Sequence, residues 1–363
     1  MKKIDKFITE YIIKKKLDKP IDSEDHYKYT PNTKEELIDN IKELFDKGET
    51  NLNCINTSAI TDMSHLFEIC KNSLDFDVSG WDVSNVENME HMFENCKKFN
   101  CDLSNWDVSN VTNMIFAFCG CSNFMGKGLE NWNVSNVKNM CNMFMFCGNF
   151  DCDLSRWNVS NVTNMKKMFD ICENFKGKGL ENWDVSNVTN MRNMFYDCKK
   201  FNCDLSKWNV SNVEDMKNMF YYCTSFTGKG LDKWDVSNVE NMYCMFEYCI
   251  KFEGKYISNW NVSNVKNMIG MFNYCNTLKC DLSNWNVSNV EYMNYMFNEC
   301  NNVNFDVSGW DVSNVIGMTR MFYNCYGFKG KGLDNWDVSN VKDMGGIFDG
   351  CSLIENNPSW YKE

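Results

Sequence analysis

Thiols, imidazoles and carboxylates are the groups in this chain that could bind a metal, close a disulfide or attack a substrate, and their spacing decides among these chemistries. The chain has 363 residues, with 20 cysteines and three histidines. One file of cysteines recurs every 25 or 26 residues, Cys70, Cys96, Cys121 and onward to Cys351, each three residues after a phenylalanine. In that setting a thiol packs as a small hydrophobe, so core packing is the expectation. A second set, Cys101, Cys152, Cys203 and Cys280, stands two or three repeats apart, roughly 10 Å or more, beyond the ~7 Å between Cα atoms that a disulfide spans. Zinc needs clustered tetrahedral ligands, and His26, His65 and His91 join no cysteine cluster in the sequence. With every histidine in the first 91 residues, no Ser-His-Asp or Cys-His constellation can be assembled around a nucleophile. The expectation is a chain that is not an enzyme, with no catalytic residues, no metal and no cofactor.

What positions these side chains is a tandem repeat. Tryptophans stand 25 or 26 residues apart from Trp81 to Trp336, each opening the pattern W-[DN]-V-S-N-V-x-x-M-x-x-[MAI]-F-x-x-C. A degenerate copy, INTSAITDMSHLFEIC, precedes them with Ile55 in the Trp slot. Within one unit the apolar residues Val86, Met89, Met92, Phe93 and Cys96 carry the three-to-four spacing of an amphipathic helix. Ser84-Asn-Val-Glu87 reads as its capping box, with the same SNVE at Ser211, Ser237 and Ser288. Phe99, Cys101 and Leu103 alternate with Asn100, Asp102 and Ser104, as in a short half-buried strand. The predicted fold class is therefore an α/β solenoid, a leucine-rich-repeat-like stack of about twelve coils of 25 or 26 residues with short parallel strands and short helices, roughly 55 to 60 Å long. A single unit buries too little to stand alone, so stacking must stabilise it. Units ending FxGKGLxxW have one residue more than those ending FNCDLSxW, and a small bulge is expected there. A phosphate loop would need a helix after the glycines, and here a strand is expected instead.

Two further columns belong to the bend. The Asn file from Asn85 to Asn340 places some N-V-S and N-V-T sequons in register. Its regular placement predicts a ladder of side-chain amides bonded to the backbone of adjacent coils. The Asp or Asn after each Trp could ligate calcium, but Asn replaces Asp in about half the units, and turn chemistry explains both.

Residues 1–50 hold two helical patterns, the second opened by the capping box Thr33-Lys-Glu-Glu36 and stopped near Gly48. They read as a helical N-terminal cap, 51–352 as the repeat solenoid, and 353–363, with Pro358, as a C-terminal cap. A formal net charge of −12 disfavours nucleic acid and anionic membranes as partners. No run of 18 apolar residues occurs, so no membrane insertion is expected. The basic-flanked start MKKIDKFITEYIIKKKL is interrupted by Glu10 and followed by no small-residue cleavage site, which does not read as a secretory signal. A cytoplasmic location with reduced thiols is the expectation.

The phrase WDVSNVTNMRNMFYDC, from Trp183 to Cys198, recurs in eleven variants and resembles the unit of the BspA-like leucine-rich-repeat family, of the Mycoplasma-type DVSNVTNMxxMFxxC kind. The segment YTPNTKEELIDNIKEL with NTSAITDMSHLF is similar to the leader that precedes such repeats. The resemblance covers about residues 33–351 and implies a non-catalytic scaffold for protein–protein binding or adhesion, often on cell surfaces. The surface members' export signal and C-terminal anchor are features this sequence is not read as carrying.

One asymmetry concerns binding. No tyrosine falls between residues 30 and 195, yet Tyr196, Tyr221, Tyr222, Tyr248, Tyr274 and Tyr323 occupy the two variable slots between the repeat's Phe and Cys. Stacked coils would align them as an aromatic stripe, and tyrosine is enriched at binding hot spots. The plainer account is half-buried packing between coils, since Met145, Phe146 and Ile171 fill equivalent slots. The function expected is a scaffold for a protein partner, with self-association into a structural surface or virion layer as the alternative.

Overall fold

The structure, a computed structural model, describes residues 27–70, 74–352 and 358–361. Its one α-helix among these residues, α1 (Lys34–Asp46), forms where the second helical pattern predicts it. The Thr33 side chain accepts from Glu36 N at 3.2 Å, and the Glu36 carboxylate accepts from Asn32 N at 2.7 Å. The capping box thus closes, with its return bond one residue upstream of the usual position. Leu37, Ile41 and Leu44 lie on one face of α1 and are buried at the start of a single core that runs the length of the molecule. The first helical pattern lies in residues 1–26, outside the described residues, as do 353–357 and 362–363 of the expected C-terminal cap.

From Ile55 onward the chain winds as a solenoid whose coils meet in parallel register. A file of twelve residues, from Asp62, Asn88 and Asn113 to Asp343, makes one bridge per coil contact. The expected strand at Phe99–Leu103 does not form, and among the described residues this file and the parallel bridges Tyr29–Ile55 and Asn51–Asp77 are the only ladder pairing. The expected helix between Met89 and Cys96 is also absent. In a helix Phe93 N would bond Met89 O. Instead Met89, His91, Phe93 and Asn95 donate to Asn113, Ile115, Ala117 and Cys119 of the next coil at 2.7–3.0 Å. The intervening Met92, Glu94 and Cys96 donate three residues back, at 3.0–3.2 Å, closing consecutive tight turns. Of these three overlapping turns, Met89–Met92 and Phe93–Cys96 put apolar side chains three and four apart on one face, which is the spacing a helix gives. The turns require left-handed backbone at two slots, here His91 (φ 54°) and Asn95 (φ 62°), a conformation that Gly and Asn adopt most cheaply.

The corner after each Trp is also turn chemistry. Ser84 N and its hydroxyl both donate to Asp82 Oδ1 (3.0 and 2.7 Å), and Glu87 N bonds Thr61 O of the preceding coil, so the Ser84–Glu87 capping box is not made. The Asn ladder is present: from Asn85 to Asn340 each Nδ2 donates to a Ser carbonyl one coil back at 2.6–2.8 Å.

In the coils ending FxGKGLxxW the extra residue enters a single 3-10 turn, as at Leu129–Asn131 and Leu180–Asn182, rather than a bulge followed by a strand. Gly128 precedes the first of these at φ 96°, and a Cβ there would sit 2.2 Å from Ser104 N. The five tryptophan pairs spaced 26 residues apart stack face to face, with centroids 6.2–6.5 Å apart. Trp360 continues this file, 6.2 Å from Trp336, and donates Nε1–H to Leu333 O at 2.8 Å. It seals the C-terminal end of the core together with Tyr361, whose ring meets Phe348 at 5.3 Å. Among the described residues no helix is long and apolar enough to cross a membrane.

Candidate binding surface

The chemistry-bearing side chains divide between the core and one variable face. From Cys121 to Cys351 the repeat thiols point inward, each donating S–H to the carbonyl of a phenylalanine one coil back at 2.8–3.1 Å. Burial raises their pKa, as at Cys198 and Cys223, so a nucleophilic thiolate is disfavoured. Cys101, Cys152, Cys203 and Cys280 are buried free thiols, pushed up to about 12 by burial. The Cys70 side chain and His26 lie outside the described residues. His65 and His91 stack with Phe116 in one file at 4.5–4.6 Å, and His91 Nδ1 is 3.1 Å from Glu94 Oε2. Among the described residues no three His, Cys, Asp or Glu side chains are grouped to hold a metal ion.

The GKG lysines serve the scaffold. Lys127, Lys178, Lys229 and Lys331 each pair with an aspartate one coil back at 2.7–2.8 Å. Those lysines, with the neighbouring Ser hydroxyls and amides, hold Asp102, Asp153, Asp204 and Asp306 down to about 2. A shallow groove of about 730 Å³ runs along the Asn ladder past Glu240, Lys266, Glu291 and Lys342. Lys266 Nζ closes on Glu240 there at 2.9 Å.

The two slots between Phe and Cys behave differently. They are set by the tight turns, so consecutive coils align their side chains in two files. In the first, Tyr196 and Tyr221 stack at 4.5 Å with planes 3° apart. In the second, Tyr222, Tyr248 and Tyr274 follow one another at 5.1 and 4.5 Å. Tyr221 meets Tyr248 edge-on at 6.2 Å and joins the files. Five of the six predicted tyrosines therefore form one cluster. Tyr323 stands apart, with the Arg320 guanidinium 5.1 Å from its ring centre. The rings are half-buried, Tyr222 being 37% exposed, and Ile250 beside them is 43% exposed.

Carboxylates bound both files, and the sequence reading passed over them. The first file runs Asp170, Tyr196, Tyr221, Glu247 and the second Asp197, Tyr222, Tyr248, Tyr274, Glu299. The signal was present as register, since each carboxylate holds the same slot as the tyrosines it borders. Asp170 is 3% exposed with Lys167 Nζ at 3.5 Å, and burial raises its pKa to about 6. Burial also raises Asp197 and Glu247. Asp197 Oδ1 is buried without a hydrogen bond, and Lys199 Nζ stands 3.7 Å away. Burial and the neighbouring carboxylates raise the phenols of Tyr196 and Tyr221.

No curated protein matches the chain. The profile of a family described as Mycoplasma protein of unknown function, DUF285, matches residues 36–150, 112–229, 171–256, 222–332 and 249–361. These overlapping matches tile the repeats from end to end, and the chain belongs to that family.

Proposed function

We propose that the chain is a non-catalytic scaffold of the BspA-like type that binds another protein through its tyrosine cluster. The observation carrying this reading is the position of those rings. They sit in slots where the scaffold asks only for a backbone conformation, and they expose aromatic surface that the coil contacts leave half uncovered. Aromatic side chains held rigidly by their neighbours are what hot spots consist of. The inward-facing thiols, raised in pKa by burial, fit a chain without a cysteine nucleophile. The test is affinity capture from the native cell with wild type and with a Tyr222→Ser, Tyr248→Ser, Tyr274→Ser variant, compared by quantitative mass spectrometry. A protein retained by wild type and lost by a folded variant supports the reading, and identical captures refute it.

A second reading, self-assembly, has its own observation. Met344, Gly346, Phe348 and Gly350 hold the slots whose N–H groups donate to the following coil elsewhere, and no such bond is made by them among the described residues. A row of free donors is a template for pairing with another chain. Concentration-dependent light scattering would reveal end-to-end association.

A further inference from the structure

We infer that the tyrosine cluster docks an arginine-bearing basic segment of its protein partner, with guanidinium groups lying over the end of the file at Tyr274 and along the Tyr248 ring edge, and pairing with Glu299 and Glu247. This rests on the scaffold reading above and goes beyond it by naming the chemistry of the partner.

Each tyrosine file is closed at both ends by a carboxylate, so a run of two or three rings is bracketed by negative charge one coil away at each end. Ring faces attract cations through their quadrupole. The chain shows the arrangement once with its own side chain: Lys199 Nζ lies 6.0 Å from the Tyr222 ring centre and 3.7 Å from Asp197. Cations are unevenly supplied. Lys167 and Lys199 reach Asp170 and Asp197 at one end of the cluster. At the other end, among the described residues, no lysine or arginine pairs with Glu247 or Glu299. Glu247 accepts from Asn273 Nδ2 at 2.8 Å and from the Cys244 thiol, and Glu299 accepts from Asn324 Nδ2 at 2.7 Å. Neither an amide nor a thiol neutralises charge, so half-buried anions beside half-buried aromatic rings are left for a cation from outside. Arginine fits better than lysine, because a planar guanidinium stacks on a ring while its edge grips a carboxylate. The exposed Ile250 beside Tyr248 supplies an apolar edge for the aliphatic stem.

The full chain is titrated with a fluorescein-labelled peptide of alternating arginine and glycine, alongside lysine and glutamate analogues, and binding is read by fluorescence anisotropy. The arginine peptide is expected to bind at least about tenfold tighter than the lysine analogue. Glu247→Gln with Glu299→Gln should weaken it about tenfold or more, and Tyr248→Phe with Tyr274→Phe, which keeps the stacked rings, should bind as wild type does. Glu240→Gln with Glu291→Gln removes the same charge from the axial groove and should change binding little. Equal affinity for arginine and lysine, or equal weakening by the groove pair, would overturn the proposal by showing attraction to net charge alone. Absence of peptide binding would also overturn it, and the scaffold reading would still stand if the Tyr222, Tyr248, Tyr274 variant loses its captured protein.

Discussion

The Trp-Asp-Val-Ser-Asn corner and the two slots before each repeat cysteine lie in the same coils, yet one is repeated almost without change and the other varies freely. At the corner the Trp, Asp and Asn side chains each have a bond to make, and the Val is buried in the core. The indole N–H reaches a carbonyl of the preceding coil, at 3.1 Å for Trp234, Asp235 Oδ1 accepts from Ser237 N at 3.0 Å, and Asn238 Nδ2 donates to Ser211 O at 2.7 Å. In the slots backbone bonds join coil to coil whatever the side chain, as where Tyr222 N donates to Glu247 O at 2.8 Å, and side chains such as Asn273 and Asn324 add bonds only in some coils. Glu, Met, Asp, Tyr and Asn all occur there. Where side chains carry the stacking, the repeat fixes them, and where the backbone carries it, the surface is free to acquire specificity.

The sharpest way to break this contrast is to alter a fixed position with no room to adjust. Gly179 stands at φ 93°, and an added Cβ would lie 2.2 Å from Ser155 N and 2.7 Å from Leu154 C. Gly179→Ala should therefore cost on the order of 3 to 5 kcal/mol. Because coils couple mainly to neighbours, the loss should appear in hydrogen exchange as early opening around residues 154–183, with distant coils little changed.

Asp170 tests the variable face from the opposite direction. Its pKa is raised to about 6 by burial, against the usual 3.8. A carboxylate whose pKa is higher folded than unfolded penalises the native state fully above the folded value, and the penalty vanishes below the unfolded one. Asp170→Asn should accordingly stabilise by about 3 kcal/mol at pH 7.5 and by almost nothing near pH 3. Urea midpoints at the two pH values check the sign, and destabilisation at pH 7.5 would show that the Lys167 pair outweighs desolvation. A smaller effect in the other direction is expected from Asn212→Ala, which deletes one exposed rung to Ser186 O and should cost about 1 kcal/mol.

The stacked repeat, its register, the Asn ladder and the inward thiols were legible because each is a matter of which residues recur. The local backbone was not. Met89, Met92, Phe93 and Cys96 carry a helical spacing, and two consecutive tight turns reproduce it. The signal against a helix lay in the other slots, where Asn95, Asn142, Asn193 and Asn218 alternate with Gly120, Gly270 and Gly346. Residues tolerant of left-handed backbone, four apart within a short segment, disfavour a helix and favour turns. The tyrosine files were legible for the same reason as the thiols, but their bounding carboxylates were not sought in the same register. Tyr323 was grouped with the rest by slot alone, although the coil of Asn298 and Glu299 separates it from Tyr274.

The slightest effect on stability should come from Tyr222, and its smallness is the informative part. Tyr222 is held at φ 59°, a left-handed conformation that costs an ordinary residue about 1–2 kcal/mol. Its ring meets Tyr248 at 5.1 Å, a contact worth about 0.5–1.5 kcal/mol. Asn324 holds the same slot four coils later at φ 55°. Tyr222→Asn therefore exchanges a stacking contact for relief of backbone strain, and the urea midpoint should move by no more than about 1 kcal/mol in equivalent stability. If that variant keeps its fold while partner capture falls, the ring was retained for contact with something outside the coil. A loss near 3 kcal/mol would instead show that the tyrosines hold the solenoid together, as the ladder residues do.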